Sequence, residues 1–400
     1  MLDLWRSRVR VVLPAMLAIQ SFGTLCSFAA PVVVVQASAT LGVKSTAIGI
    51  YAAVLYTVGM LAGLIASSFF ARFGTIRSCQ AAMLAGALGL IIVGAVPAWP
   101  VAIVAAVLIG IATGPLNPAG SRVLARHTPP RWQPFVFSVK QTGTPLGGML
   151  AGLLLPPLMA LYDWRLALVI VAALPLLNLV AIQFVRAELD DDRDPSRRIR
   201  LGGLAEPLRV ILARRQLVTL AAAGYLYTFA QMSILSFMVI YLEEANGLST
   251  EFAGAIFALI HASAIPARVM WGAIAGRVLS SWALLGVIGL MMAASIVAMS
   301  LFTPAWPYWL VALVAILLGV STNGVLGLLL SEFARLAPPG KVGEAAGGAQ
   351  FFLFFGIVSG PPVFGAIVEY GGGYTNAFYV IAAATLLSGL YLLFTARRAG

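Results

Sequence analysis

LIGIATGPLNPAGSRVLARHTPP at residues 108–130 returns as LLGVSTNGVLGLLLSEFARLAPP at residues 317–339. Leu108-Ile-Gly110 falls on Leu317-Leu-Gly319, Arg126 on Arg335, Pro129-Pro130 on Pro338-Pro339 and, further on, Gln141 on Gln350, always 209 positions apart. Each copy is an apolar run closed by a basic residue and a proline pair, the pattern of a helix leaving hydrocarbon for water. A gap-free repeat of this length makes the chain two copies of one unit. Ser45-Thr46 and Arg72 match Ser249-Thr250 and Arg277 within one residue of register, which carries the repeat back towards the start of each copy.

Outward from this pair, apolar runs fall at about residues 11–36, 46–70, 79–97, 101–124, 135–160 and 165–185, then 216–242, 252–275, 283–302, 308–333, 345–368 and 375–395. Between the sixth and seventh lies the long hydrophilic interval, Arg186 to Arg215, which contains the acidic knot Asp190-Asp-Asp-Arg-Asp194 and closes on Arg214-Arg215. The expected class is an all-α membrane protein of twelve transmembrane helices in two pseudo-symmetric six-helix halves: residues 1–185, a cytoplasmic linker at 186–215, and residues 216–400. Trp5-Arg-Ser-Arg-Val-Arg10 before an apolar run imitates a cleavable signal peptide. The run continues to Val35, which is spanning length, and is read as a retained first helix.

Composition agrees. The chain is 61% hydrophobic and 10% charged, against roughly a quarter charged in soluble domains. A barrel would show alternating segments of about 10 residues, and none occur. A net charge of +11 would point to nucleic acid in a soluble protein. Here the bias of cytoplasmic loops towards Lys and Arg accounts for it. With the N-terminus inside, twenty basic residues lie on that side, Lys44 and Arg165 opposite, and three within helices. The expected place is the cell inner (plasma) membrane, multi-pass, both termini cytoplasmic, with the lipid bilayer as surroundings, no nucleic acid partner and a monomer sufficing. Cys26 and Cys79 sit on different apolar runs, which argues against a disulfide framework or metal site. No Gly-x-x-x-x-Gly-Lys-Ser/Thr loop and no nucleophile–base pairing occurs, so neither enzyme activity nor a cofactor is expected.

Three short motifs sharpen this. The loop after the second run reads Ala71-Arg72-Phe73-Gly74-Thr-Ile-Arg77, and its repeat reads Arg268-Val-Met-Trp-Gly272-Ala-Ile-Ala-Gly276-Arg277. The fifth run carries Ser138-Val-Lys140-Gln-Thr-Gly143-Thr-Pro145-Leu-Gly147-Gly148. Together these resemble the signature loops and the Gly- and Pro-rich fifth helix of the major facilitator superfamily, over the whole chain. In the family loop an Asp precedes Arg-x-Gly; here Ala71 and Gly276 stand at the Asp positions and Ser67 replaces an earlier Gly. The resemblance implies secondary transport by alternating access, with substrate near the midplane between halves, and the family's Asp–Arg latch lacks its acid at both positions. Gly143, Gly147, Gly148 and Gly152 allow close helix approach and Pro145 frees a carbonyl; dense packing and a bending pivot are both open readings.

Ionisable groups at membrane depth are functional candidates. Clearly embedded charges are basic, and no Asp or Glu falls mid-span. Arg268 stands nearest a span centre; a two-donor fork suits a carboxylate, and the rival role is bonding carbonyls of neighbouring helices. The resemblance also matches it to a helix 8 arginine of anion-carrying branches. Lys140 is a second candidate, against snorkelling to the boundary. Gln20, Asn117, Gln231, Asn323 and Gln141 complete the substrate-binding set, their rival role being interhelical hydrogen bonds. Tyr227 and Phe354 are aromatic walls or packing. His261, seven residues before Arg268, is the best-placed proton carrier, against a satisfied core histidine. Arg122, Glu332, Arg277 and Arg72 are read as gate or structural charges, with Glu332 latching to Arg277 or Arg335.

The reading is a secondary transporter of a small organic anion, a carboxylate, driven by protons or by counter-anion. Efflux of neutral hydrophobic compounds is the first alternative, and a non-transporting membrane receptor or sensor the second.

Overall fold

A computed structural model describes residues 8–129, 132–191, 193–196, 205–339 and 341–399. Residues 5–7, Pro130, Arg131, Asp192, Arg197, Arg198 and Arg200, which enter the readings above, lie outside the described residues. Twelve helices among the described residues are long and apolar enough to cross a membrane. They are α1 (Val9–Leu41), α2 (Ser45–Phe73), α3 (Thr75–Ala95), α4 (Trp99–His127), α5 (Phe135–Leu161), α6 (Trp164–Ala187), α7 (Arg215–Ala245), α8 (Thr250–Ile274), α9 (Ser281–Ser300), α10 (Tyr308–Leu336), α11 (Val342–Tyr370) and α12 (Tyr374–Ala396). A short linker helix, Ala205–Leu212, precedes α7. Helices answer the solvent: in hydrocarbon every backbone N–H and C=O must be satisfied within the segment.

The chain forms two compact units, Met1–Lys44 with Val54–Gly202, and Ser45–Ala53 with Gly203–Gly400. The hydrophilic interval is thus shared, its first part going with the first unit and its second with the other. In the first unit α1 packs along α5, α3 along α4 and α6. In the second, α7 packs along α11, α9 along α12, and α8 along α10.

The repeat is visible atom by atom. On α1 the Thr24 hydroxyl donates towards the Thr144 carbonyl of α5; on α7 the Thr228 hydroxyl donates to the Leu353 carbonyl of α11 at 2.9 Å. Thr144 and Leu353 are 209 positions apart, as are Gly147 and Gly356, each lying against the same threonine. A Cβ on either glycine would overlap that hydroxyl and partner-helix backbone, so the crossings are closed to any side chain. Gly110 and Gly319 repeat the device, lying on the backbone carbonyls of Leu55 and Ile260.

Two of the helices are interrupted at matching places. The α-helical part of α4 ends at Thr113 and resumes at Leu116; that of α10 ends at Thr322 and resumes at Leu326. Pro115 explains the first, having no N–H to donate. Asn323-Gly324 occupies the second. Such breaks free carbonyls in the interior of a unit, and something polar must meet them.

Candidate functional site

In the second unit, the break in α10 gathers three of the expected residues. The Arg268 Nε–H on α8 donates to the freed Asn323 carbonyl at 3.2 Å. Gln231 Nε2 on α7 donates to Asn323 Oδ1. Trp271 Nε1, one turn beyond Arg268, donates to the Val320 carbonyl at 2.9 Å and its ring lies over Gly324. Gln231 and Asn323 are buried, and the Asn323 Nδ2 amide has no hydrogen-bond partner among the described residues. A buried unpartnered donor costs roughly 1–3 kcal/mol, so this cluster is left short of an acceptor.

His261 lies on the same helix, fully buried. Its Nδ1 is 2.9 Å from the Phe257 carbonyl and its ring packs on that of Phe257 with centroids 4.5 Å apart.

In the first unit the expected residues form two pairs. Lys140 of α5 is 1% exposed, and its Nζ donates to Asn117 Oδ1 of α4 at 2.8 Å. Gly120 makes room for it: a Cβ there would overlap Lys140 Cε. Gln20 of α1 donates from Nε2 to Thr144 Oγ1 at 2.9 Å, while its buried Oε1 has no partner among the described residues. Gln141 stands partly buried at an interruption of α5, where one helical segment ends at Gln141 and the next begins at Gly143.

The remaining charges sit at helix ends. Glu332 is buried and accepts from Arg335 through Nε, at 3.1 and 3.0 Å, and Nη2, at 2.7 Å, three residues on along α10. Arg72 lies over the Phe73 ring at 5.4 Å. Arg277 occupies the tight turn after α8, where Gly276 takes φ +74°. Arg122 is half-buried on α4. Tyr227 is core rather than wall, fully buried with its hydroxyl donating to the Leu285 carbonyl at 2.9 Å.

Sequence reasoning passed over Thr144, Gly120 and Trp271. Small residues and tryptophans are common in membrane helices, so only contact with Gln20, Lys140 and the α10 break marks them out. The acidic knot read from sequence only as linker, yet its Asp190 closes the first unit's α2–α3 turn.

The hexuronate transporter of Bacillus subtilis (strain 168) is 22% identical over 300 residues, covering 72% of this chain and 71% of that protein. A POT family transporter solved in complex with 5-aminolevulinic acid superposes with a TM-score of 0.79 at 13% identity, over 96% of both chains. The human organic anion transporter MFSD10 (TETRAN) superposes with a TM-score of 0.68 at 16% identity, over 96% of this chain and 99% of that one. The sequence model described as Major Facilitator Superfamily matches residues 15–347. With twelve spans, the twin threonine–glycine crossings and that match, the chain belongs to the major facilitator superfamily of membrane transporters.

Proposed function

We propose that this protein is a secondary transporter of a small organic anion, a carboxylate that also carries hydroxyl groups, working by alternating access with both termini in the cytoplasm. The observation that carries the reading is the acceptor-poor cluster on α10: the Arg268 guanidinium and the unpartnered Asn323 Nδ2 side by side. An acceptor-rich ligand relieves that deficit, and Arg binds carboxylate through charge-assisted bonds about twice as strong as neutral ones. A hexuronate carries a carboxylate beside its hydroxyl groups, and the Bacillus relative supports that class. The first unit holds a buried cation of its own, Lys140.

The test is uptake of radiolabelled glucuronate into proteoliposomes, with glucose as its neutral counterpart. Glucuronate should enter, and unlabelled carboxylates should compete where glucose does not. Uptake indifferent to the substrate's charge would instead favour carriage of neutral compounds. For coupling, the enclosed, carbonyl-bonded His261 supports exchange of one anion for another over proton cotransport.

A further inference from the structure

The family resemblance leaves a gap at position 71, where an acid is expected and Ala71 stands. The structure puts a carboxylate at that turn from elsewhere in the chain. Asp190, from the acidic knot after α6, is 8% exposed. Its Oδ1 accepts from the Ile76 N–H at 2.7 Å and its Oδ2 from the Arg77 N–H at 3.1 Å. Those are two of the four N–H groups that the start of α3 leaves unpaired, and Gly74, at the cap position, has no side chain to meet them.

Two further contacts fasten the same segment. The Asp194 N–H donates to the Ala71 carbonyl at 2.7 Å, and its side chain turns back on Ser196, accepting from the N–H at 3.0 Å and from Oγ at 2.6 Å. Asp191 pairs with Arg126 of α4 at 2.8 Å, and that bond holds its carboxyl below the usual range. The turn is shaped for the visitor. Gly74 has φ +97°, and a Cβ on it would run into the Asp190 carboxylate.

The second unit closes its equivalent turn differently. Gly276 there has open space where a Cβ would point, and α9 is capped locally by Ser280, which accepts from the Ala283 N–H at 3.2 Å. One unit therefore caps its third helix from within the turn, while the other draws on a residue more than a hundred positions away. Beneath Asp190 lies the apolar core of this end, in which Ile76, Cys79, Ile182 and Leu189 pack together.

We infer that Asp190, Asp191 and Asp194 form a clasp in which Asp190 supplies from the linker the acid missing at position 71, holding the α2–α3 turn and the start of α3 shut over the core of the first unit. The clasp joins α2, α3, α4 and the segment following α6 at one end, so that this end moves as a body. Its opening is local and requires no substrate.

Alkylation reads the opening directly. With Cys26→Ala as parent, Cys79 is the sole thiol, fully buried one turn inside α3. N-ethylmaleimide should label the purified full chain slowly. Asp190→Ala should raise the rate about fivefold, the opening expected from loss of one helix cap. Asp190→Asn, which keeps an acceptor oxygen, should stay within about twofold of the parent. Gly74→Ala, which crowds that carboxylate and also strains a φ of +97°, should raise the rate at least as far, and the double variant should fall short of the two effects combined, since both remove one contact. Labelling of Asp190→Ala at the parent rate, or additive effects of the two substitutions, overturns the clasp. If Asp190→Ala does not fold, Gly74→Ala takes its place, and its labelling at the parent rate overturns the clasp. Glucuronate enters no step, so the result is independent of the proposed substrate.

Discussion

Arg268 holds two roles that its contacts do not by themselves separate. It satisfies a carbonyl freed by the break in α10, and it brings a charged fork to the Asn323 amide. A lysine in its place keeps the charge and can reach one carbonyl, but loses the planar pair of donors. Arg268→Lys is therefore expected to keep its melting temperature while glucuronate uptake falls about tenfold or more. Uptake at the parent rate in well-expressed Arg268→Ala would reduce the residue to interhelical glue. Lys140 is open to a less direct approach through Gly120, whose missing side chain makes its slot. Gly120→Ala should displace the ammonium from Asn117, costing about 1–3 kcal/mol by overpacking and by loss of a charged hydrogen bond. Thermal denaturation checks it. The long polar side chains of this cluster were legible because an Arg, Gln or Asn inside an apolar run stands out. Gly120 and Thr144 were not, because a small residue in a membrane helix has many explanations until its neighbour is known. Tyr227 was ambiguous for the same reason, and only its bond to the Leu285 carbonyl assigns it to packing.

At the scale of the helix, the twin crossings invite a comparison within one protein. Gly356 of α11 lies on Thr228 and the backbone of α7 at Tyr225, none of which can yield. Gly343, near the start of the same helix, has open space around it. Gly356→Ala should lower stability by about 1–3 kcal/mol, as overpacking does. Gly343→Ala should be neutral or slightly stabilising, since alanine is the better helix former. Equal melting temperatures for the two would mean that the crossing relaxes without cost. The Gly- and Pro-rich motif of α5 read from sequence as packing or pivot, and Gly143 and Gly147 lie in tight contact with α1, as packing requires. The 209-residue repeat forecast which positions correspond, but no pattern of residues told that α10 would open at Asn323, where proline is absent. Nor could spacing reveal that Asp190 would cap α3, because that contact joins segments distant in sequence. The outer pair of the clasp carries a pH signature. Asp191, its carboxyl held low by Arg126, contributes stability above the ordinary aspartate range and loses it as pH falls through its lowered value. The pair is exposed and screened, so Arg126→Ala should cost less than about 1 kcal/mol at neutral pH and nothing once Asp191 is protonated. Melting temperatures of parent and variant across an acid series measure it.

Over the whole molecule, what remains is the source of energy. A proton-coupled mechanism needs a group that takes up and releases a proton within the span, and the sequence offers no mid-span carboxylate. His261 is the side chain of the right ordinary pKa. It is fully enclosed, bonded through Nδ1 to the helix that carries it and packed on Phe257. If it carried the proton, uptake would fall as external pH rises through its pKa, and His261→Gln would flatten that profile. Exchange of one anion for another asks only for a cationic group such as Arg268 to be neutralised by substrate on each crossing, and needs no titrating residue. Proteoliposomes separate the two. Vesicles loaded with unlabelled glucuronate and held at equal pH should take up labelled glucuronate several-fold faster than empty ones, while an imposed pH gradient across empty vesicles should give little. His261→Gln should behave as the parent in both. Uptake driven by the proton gradient alone, and lost in His261→Gln, would reverse the assignment and make His261 part of the transport machinery.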